Sequence, residues 1–155
     1  MLYICSMTRV NVGIDPKRLT DEHLLAEHRE LKRLPYCVGV SIKSGSINRI
    51  PKTFRLGKGH VLFFLDKMGY TYFRYLNILQ EVRKRGFNVV DYSTNWFTVP
   101  NRYFKTYKPT VKDANKVIDR ISERISRSRK TVWHYYGDKI TKDQAIDILN
   151  EKSTC

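Results

Sequence analysis

A chain of 155 residues that is 41 % hydrophobic can bury one real core and is short for two, so a single domain is expected. Lys and Arg number 29 against 15 acidic residues, a net charge of +14, which exceeds the magnitude of about 2 to 8 that serves solubility in a small domain and makes nucleic acid the expected partner. No run approaches the roughly 18 apolar residues of a membrane span, the first residues are too short for a secretory signal, and Cys5, Cys37 and Cys155 are too few and too scattered to suggest a disulfide framework or a zinc site, so reduced thiols in the cytoplasm are expected.

Thr20 followed by Asp21 and Glu22 predicts a helix start: a side-chain oxygen can cap the free amides, and the acids face the positive helix end. This first helix is expected to run to about Leu34, before Pro35, with Leu24, Leu31 and Leu34 as its apolar stripe. Glu22, Arg29 and Arg33 are expected to lie together on another face. Residues 36–57, with Ser44, Gly45, Ser46 and Pro51, keep no period and predict an ordered loop.

A long helix is predicted over residues 59–85, where Val61, Leu65, Met68, Tyr72, Tyr75, Leu79 and Val82 recur at steps of four and three as a core seam. Gly86 and Phe87 supply its stop. Residues 87–109 predict a long aromatic loop wrapped on the helices. Thr110 with Asp113 starts a third helix, whose buried side takes Ala114, Val117 or Ile118, Ile121 and Ile125. Lys116, Arg120, Arg124 and Arg127 form a basic stripe along its other side. Trp133, His134, Tyr135 and Tyr136 suit either stacking on bases or plugging a core. Thr141 with Gln144 opens a last short helix with Ala145, Ile148 and Leu149 buried. The fold class is therefore all-α: a single compact domain of three main helices plus a short C-terminal helix, with long ordered loops.

Most standard catalytic sets are absent. There is no phosphate-cradling glycine loop, no paired-histidine metal motif and no acidic cluster for two magnesium ions, so neither a metal nor another cofactor is expected. His23, His28, His60 and His134 share no metal-ligand spacing and suit capping or structural roles. From spacing alone Arg29 and Glu30 could be an ordinary solvated pair.

Several blocks in order change that weighting: Met7-Thr8-Arg9-Val10-Asn11, then His23-Leu24-Leu25-Ala26-Glu27-His28-Arg29-Glu30-Leu31, Gly57-Lys58-Gly59-His60-Val61-Leu62-Phe63-Phe64, Lys84-Arg85-Gly86-Phe87-Asn88 and Tyr135-Tyr136-Gly137. With them the chain resembles the phage endonuclease V family of pyrimidine-dimer DNA glycosylases. The resemblance implies a compact helical protein, acting as a monomer on double-stranded DNA that contains pyrimidine dimers or abasic sites. Its implied activity is excision of one base of a cyclobutane pyrimidine dimer, followed by strand cleavage through β-elimination, without a metal. The implied nucleophile is the α-amine of Thr8, exposed by initiation at Met7 and methionine removal. Residues 1–6 are then an upstream leader, and residues 7–155 the glycosylase domain. The implied catalytic carboxylate is Glu30. Arg9, Arg29 and Arg33 are expected to hold phosphates, as are Arg120 and Arg124, where the match is looser. Residues 138–155 extend past the resemblance, and Val132-Trp133-His134 matches approximately. An abasic-site lyase, and a non-catalytic basic DNA-binding protein, are the competing expectations.

Overall fold

The computed structural model describes Cys5 and residues 8–151. Among the described residues six α-helices and a two-stranded hairpin carry the fold beyond short 3-10 turns, and their order explains where the sequence-based boundaries move. Helix α1 covers Asp21–Leu31, with the Thr20 hydroxyl accepting from the His23 amide and Asp21 and Glu22 in its first turn. It ends three residues earlier than expected. Pro35 does not stop it; instead Pro35 sits in the first turn of a second helix, α2 (Leu34–Ser44), where a residue without an N–H costs nothing. The expected loop over 36–57 is therefore a helix followed by a 3-10 turn, Ser46–Arg49, before an irregular stretch.

The expected long helix is two, α3 (His60–Phe64) and α4 (Met68–Lys84). The interruption lets a distant segment dock: Lys67 bridges Phe104, the Lys105 amide donates to the Asp66 carbonyl, and a Cβ on Gly69 would stand only 3.0 Å from the Lys105 oxygen. The apolar period runs through the break because both helices bury the same seam, which is why periodicity alone did not reveal it. Gly86, at φ +87°, ends α4 with its amide on the Arg83 carbonyl, and the Phe87 amide reaches back to Val82.

Residues 87–109 wrap the helices through two 3-10 turns, Ser93–Thr98 and Asn101–Tyr103. Trp96 is fully buried there, and its indole N–H donates to the Thr71 hydroxyl at 3.1 Å. Phe97, by contrast, is 70 % exposed. Helix α5 (Val111–Arg127) opens with the expected capping box of Thr110 and Asp113 and buries Val117, Ile121 and Ile125. The segment read only as an aromatic patch is a hairpin, β1 (Trp133–Tyr135) against β2 (Asp138–Ile140), in the register Trp133 to Ile140. Its turn residues Tyr136 and Gly137 both have positive φ, the geometry of a two-residue hairpin turn. Asp21 holds that turn by accepting from the Tyr136 and Gly137 amides. Helix α6 (Lys142–Asn150) opens with the second expected capping box and packs on α5.

The mostly helical architecture is the one expected. The thiol expectation is not met: Cys5 and Cys37 are joined by a disulfide, with Cα atoms 5.8 Å apart. Cysteine spacing could not show this, because α2 was read as a loop and the position of Cys37 on its buried face was not visible. Cys155, and residues 1–6 apart from Cys5, lie outside the described residues. Among the described residues no helix is long and apolar enough to cross a membrane.

Candidate active site

One face of α1 carries the site. His23, Glu27 and Glu30 are spaced by four and three, so they stack along a single helix face. Above them a cleft is closed on one side by the extended arm 8–11 and on the other by α5. Arg9, Glu30, His60, Arg120 and Arg124 all line it, and it encloses about 20 Å³, room for a single water. No lysine lines it.

Glu30 is half-buried, and burial raises its carboxyl pKa above the ordinary 4.5, with neighbouring Glu27 adding to the rise. Arg9, Arg33 and Arg29 oppose the rise without cancelling it. The carboxyl therefore sits inside a cationic ring yet is readier to take a proton than a solvated glutamate. Neither Arg29, which is exposed, nor Arg33, which is half-buried, lines the cleft itself. On α5, Arg120 lies close enough to feel both Arg9 and Glu30, and burial together with Arg9 lowers its pKa.

The expected basic stripe thus divides. Arg120 and Arg124 turn into the cleft, while Lys116 and Arg127 are exposed and Arg127 pairs with Glu123 at 2.8 Å. Glu22 also departs from expectation. It does not serve the Arg29 and Arg33 face; its carboxylate accepts from the His134 amide and ring and from Lys130, tying the hairpin to α1. Trp133 is a core plug, buried and stacked on His23 with ring centroids 5.2 Å apart.

Thr8 is 1 % exposed and stands one residue behind Arg9; in this chain its nitrogen donates to the Cys5 carbonyl at 3.4 Å. The arm that carries it is anchored by groups that sequence reasoning left out. The Glu27 carboxylate accepts from the Asn11 amide at 3.2 Å and from the Asn11 side chain at 2.8 Å. Arg74 of α4 meets the same carboxylate with two nitrogens, at 2.7 and 3.0 Å, and also donates to the Ile14 carbonyl. His60 receives the Val10 amide. A usable signal existed for Glu27, which lies three residues before Glu30 on the same face; none existed for Arg74, whose partners are 47 and 60 residues away.

Among the described residues, no three His, Cys, Asp or Glu side chains gather as a metal site. A family model described as pyrimidine dimer DNA glycosylase matches residues 7–93, more than half of the chain. The matched stretch contains Thr8, Arg9, the whole of α1 with Arg29 and Glu30, Arg33 and His60. Arg120 and Arg124 lie beyond it.

Proposed function

The chain belongs to the pyrimidine dimer DNA glycosylase family, and from that premise we propose that it excises one base of the dimer and then cuts the strand through an imine on the Thr8 α-amine. The observation that carries this reading is Glu30: a half-buried carboxyl of raised pKa, ringed by arginines, beside the arm that begins at Thr8. Among the described residues the cleft lining supplies no side-chain amine, which favours the α-amine of a chain that begins at Thr8, one residue from the lining Arg9.

The nucleophile requires synthesis from Met7 and removal of that methionine, since an acylated Thr8 nitrogen cannot attack. An α-amine has a reference pKa of about 8 against about 10.4 for lysine, which leaves a neutral fraction at pH 7. The amine bonds to the anomeric carbon as the bond to the base breaks, and the departing base carries the electron pair. Loss of a proton from nitrogen and opening of the sugar give the imine, which acidifies the adjacent sugar proton. Glu30 as carboxylate stabilises the cationic sugar and then accepts that proton, after which the 3′ phosphate leaves. Arg9, Arg29, Arg33, Arg120 and Arg124 hold the phosphates around the lesion. The protein acts as a monomer on duplex DNA in the cytoplasm, on dimers and on abasic sites, and the chemistry needs no metal.

Borohydride trapping tests this reading, using protein that begins at Thr8 and duplexes carrying either one thymine dimer or one abasic site. The expected result is a covalent adduct on both, insensitive to EDTA and absent from protein that begins at Met1. Glu30→Gln should bind the dimer duplex at least as tightly and lose roughly 10²-fold or more in excision. Trapping on the abasic duplex alone would reduce the activity to a lyase, and no adduct at all would leave a DNA-binding protein.

A further inference from the structure

We infer that His60 is a positioning residue, whose imidazole fixes the arm bearing the Thr8 amine at the reactive distance from the sugar; this rests on the covalent reading above. The geometry leaves the ring one protonation state. The Val10 amide donates to Nε2 at 3.0 Å, so Nε2 carries a lone pair; Nδ1 must then hold the proton, and it faces the Arg55 carbonyl at 2.8 Å. A buried imidazole with both nitrogens committed has nothing left to offer a substrate. Its use is therefore mechanical.

The ring is held edge-on by Phe54 and Phe64, with centroids 5.6 and 5.2 Å away, and α3 starts at His60 itself. Val10 lies two residues after Thr8, with Arg9 between them. Glu27 fixes Asn11, the next residue along. Two buried anchors on consecutive residues, Val10 and Asn11, therefore stand within three residues of the Thr8 amine. Misplacing a nucleophile by about 1 Å can cost on the order of 10²-fold in rate while leaving phosphate contacts intact. The groups that set the local field are Arg120 on α5, Glu27 on α1 and Arg9 on the arm.

Two variants and one backbone change separate positioning from structure. His60→Phe fills the aromatic nest but offers Val10 no acceptor, and His60→Gln restores a neutral acceptor. Replacing the Val10 peptide N–H by an ester oxygen removes the same bond and leaves every side chain in place. Each is measured for affinity on a duplex carrying an uncleavable abasic analogue, and for the single-turnover trapping rate on an abasic duplex at saturating protein. His60→Phe and the ester should trap about 10- to 100-fold more slowly with affinity within about threefold of the parent, and His60→Gln should recover most of the rate. A His60→Phe or ester protein that traps at the parent rate would overturn the assignment. So would rate and affinity falling by one common factor, or a His60→Gln protein no faster than His60→Phe. If His60→Phe does not fold, the ester decides. A parent protein beginning at Thr8 that traps nothing would sink the covalent reading and this assignment with it, whereas trapping by the parent and undiminished trapping by the variants would sink the assignment alone.

Discussion

Glu30 shows at the level of one residue how a charge is tuned by opposed neighbours. Burial lifts its pKa, and Arg9, Arg33 and Arg29 press it down. Removing Arg9, the strongest of the three, should let it rise further, and an NMR titration of the Glu30 carboxyl in Arg9→Ala should move upward from the parent value. The excision rate should lose its carboxylate dependence in the same direction, its acid limb lying above pH 4.5 in the parent and higher in the variant. Arg29 is different because it is exposed. Arg29→Ala should weaken binding alike on damaged and undamaged duplexes and lower the slope of log affinity against log salt by about one, read from a salt titration.

Helix α1 gathers the site, but it works through partners supplied by other elements. The Glu27–Arg74 pair is buried on both sides, and it joins the arm, α1 and α4. Taking one member away strands the other charge, so Arg74→Met should cost roughly 3 to 5 kcal/mol of stability, measured by urea unfolding, and should loosen the arm with it. Both capping boxes, the stop at Gly86 and the α4 seam were legible in the sequence, because each signal is local or periodic; on α5 the period gave one basic stripe and did not separate Arg120 and Arg124 from Lys116 and Arg127. The rest depends on segments far apart. Pro35 suits the end of one helix and the start of another equally well, and the sequence around it does not choose. The α3–α4 break exists because residues 104–105 dock there. The hairpin has strands of three residues with no alternation, and the carboxylates that hold it, Asp21 and Glu22, lie more than 100 residues upstream. Glu30 was singled out through its block of neighbours, whereas His60 acts on a backbone amide and carbonyl, which leave no mark on residue type, and Arg74 meets a carboxylate 47 residues away.

The whole molecule carries a set of imidazoles kept neutral by burial. His23 and His60 are each lowered to about 4 from 6.5, and His28 moves the same way. The folded state resists protons that the unfolded chain accepts, so stability is full above pH 6.5 and falls as pH drops from 6.5 toward 4. Two shifts of this size come to roughly 3 kcal/mol each if fully expressed. Glu22, lowered to about 2 by the His134 and Lys130 contacts that outweigh its burial, adds a second loss below pH 4.5. Urea midpoints at pH 7.5, 6 and 5 should therefore descend, and His60→Gln should flatten the descent; a constant midpoint would contradict the assignment of neutral rings.

On the proposed mechanism, the anchoring of the arm behind Thr8 sets a schedule for making the enzyme. A methionine aminopeptidase must reach the bond ahead of Thr8 before Val10 and Asn11 are anchored by His60 and Glu27. The arm's anchors are translated later than the arm itself: Glu27 first, then His60, then Arg74, which is 60 residues beyond its Ile14 partner. At roughly 5 to 20 residues per second, those 60 residues give on the order of 3 to 12 seconds in which the terminus is out of the ribosome and not yet locked down. On the proposed mechanism, maturation of the nucleophile is a race between trimming and folding, and slower trimming in the producing cell should yield DNA-binding protein that retains its methionine and does not cut.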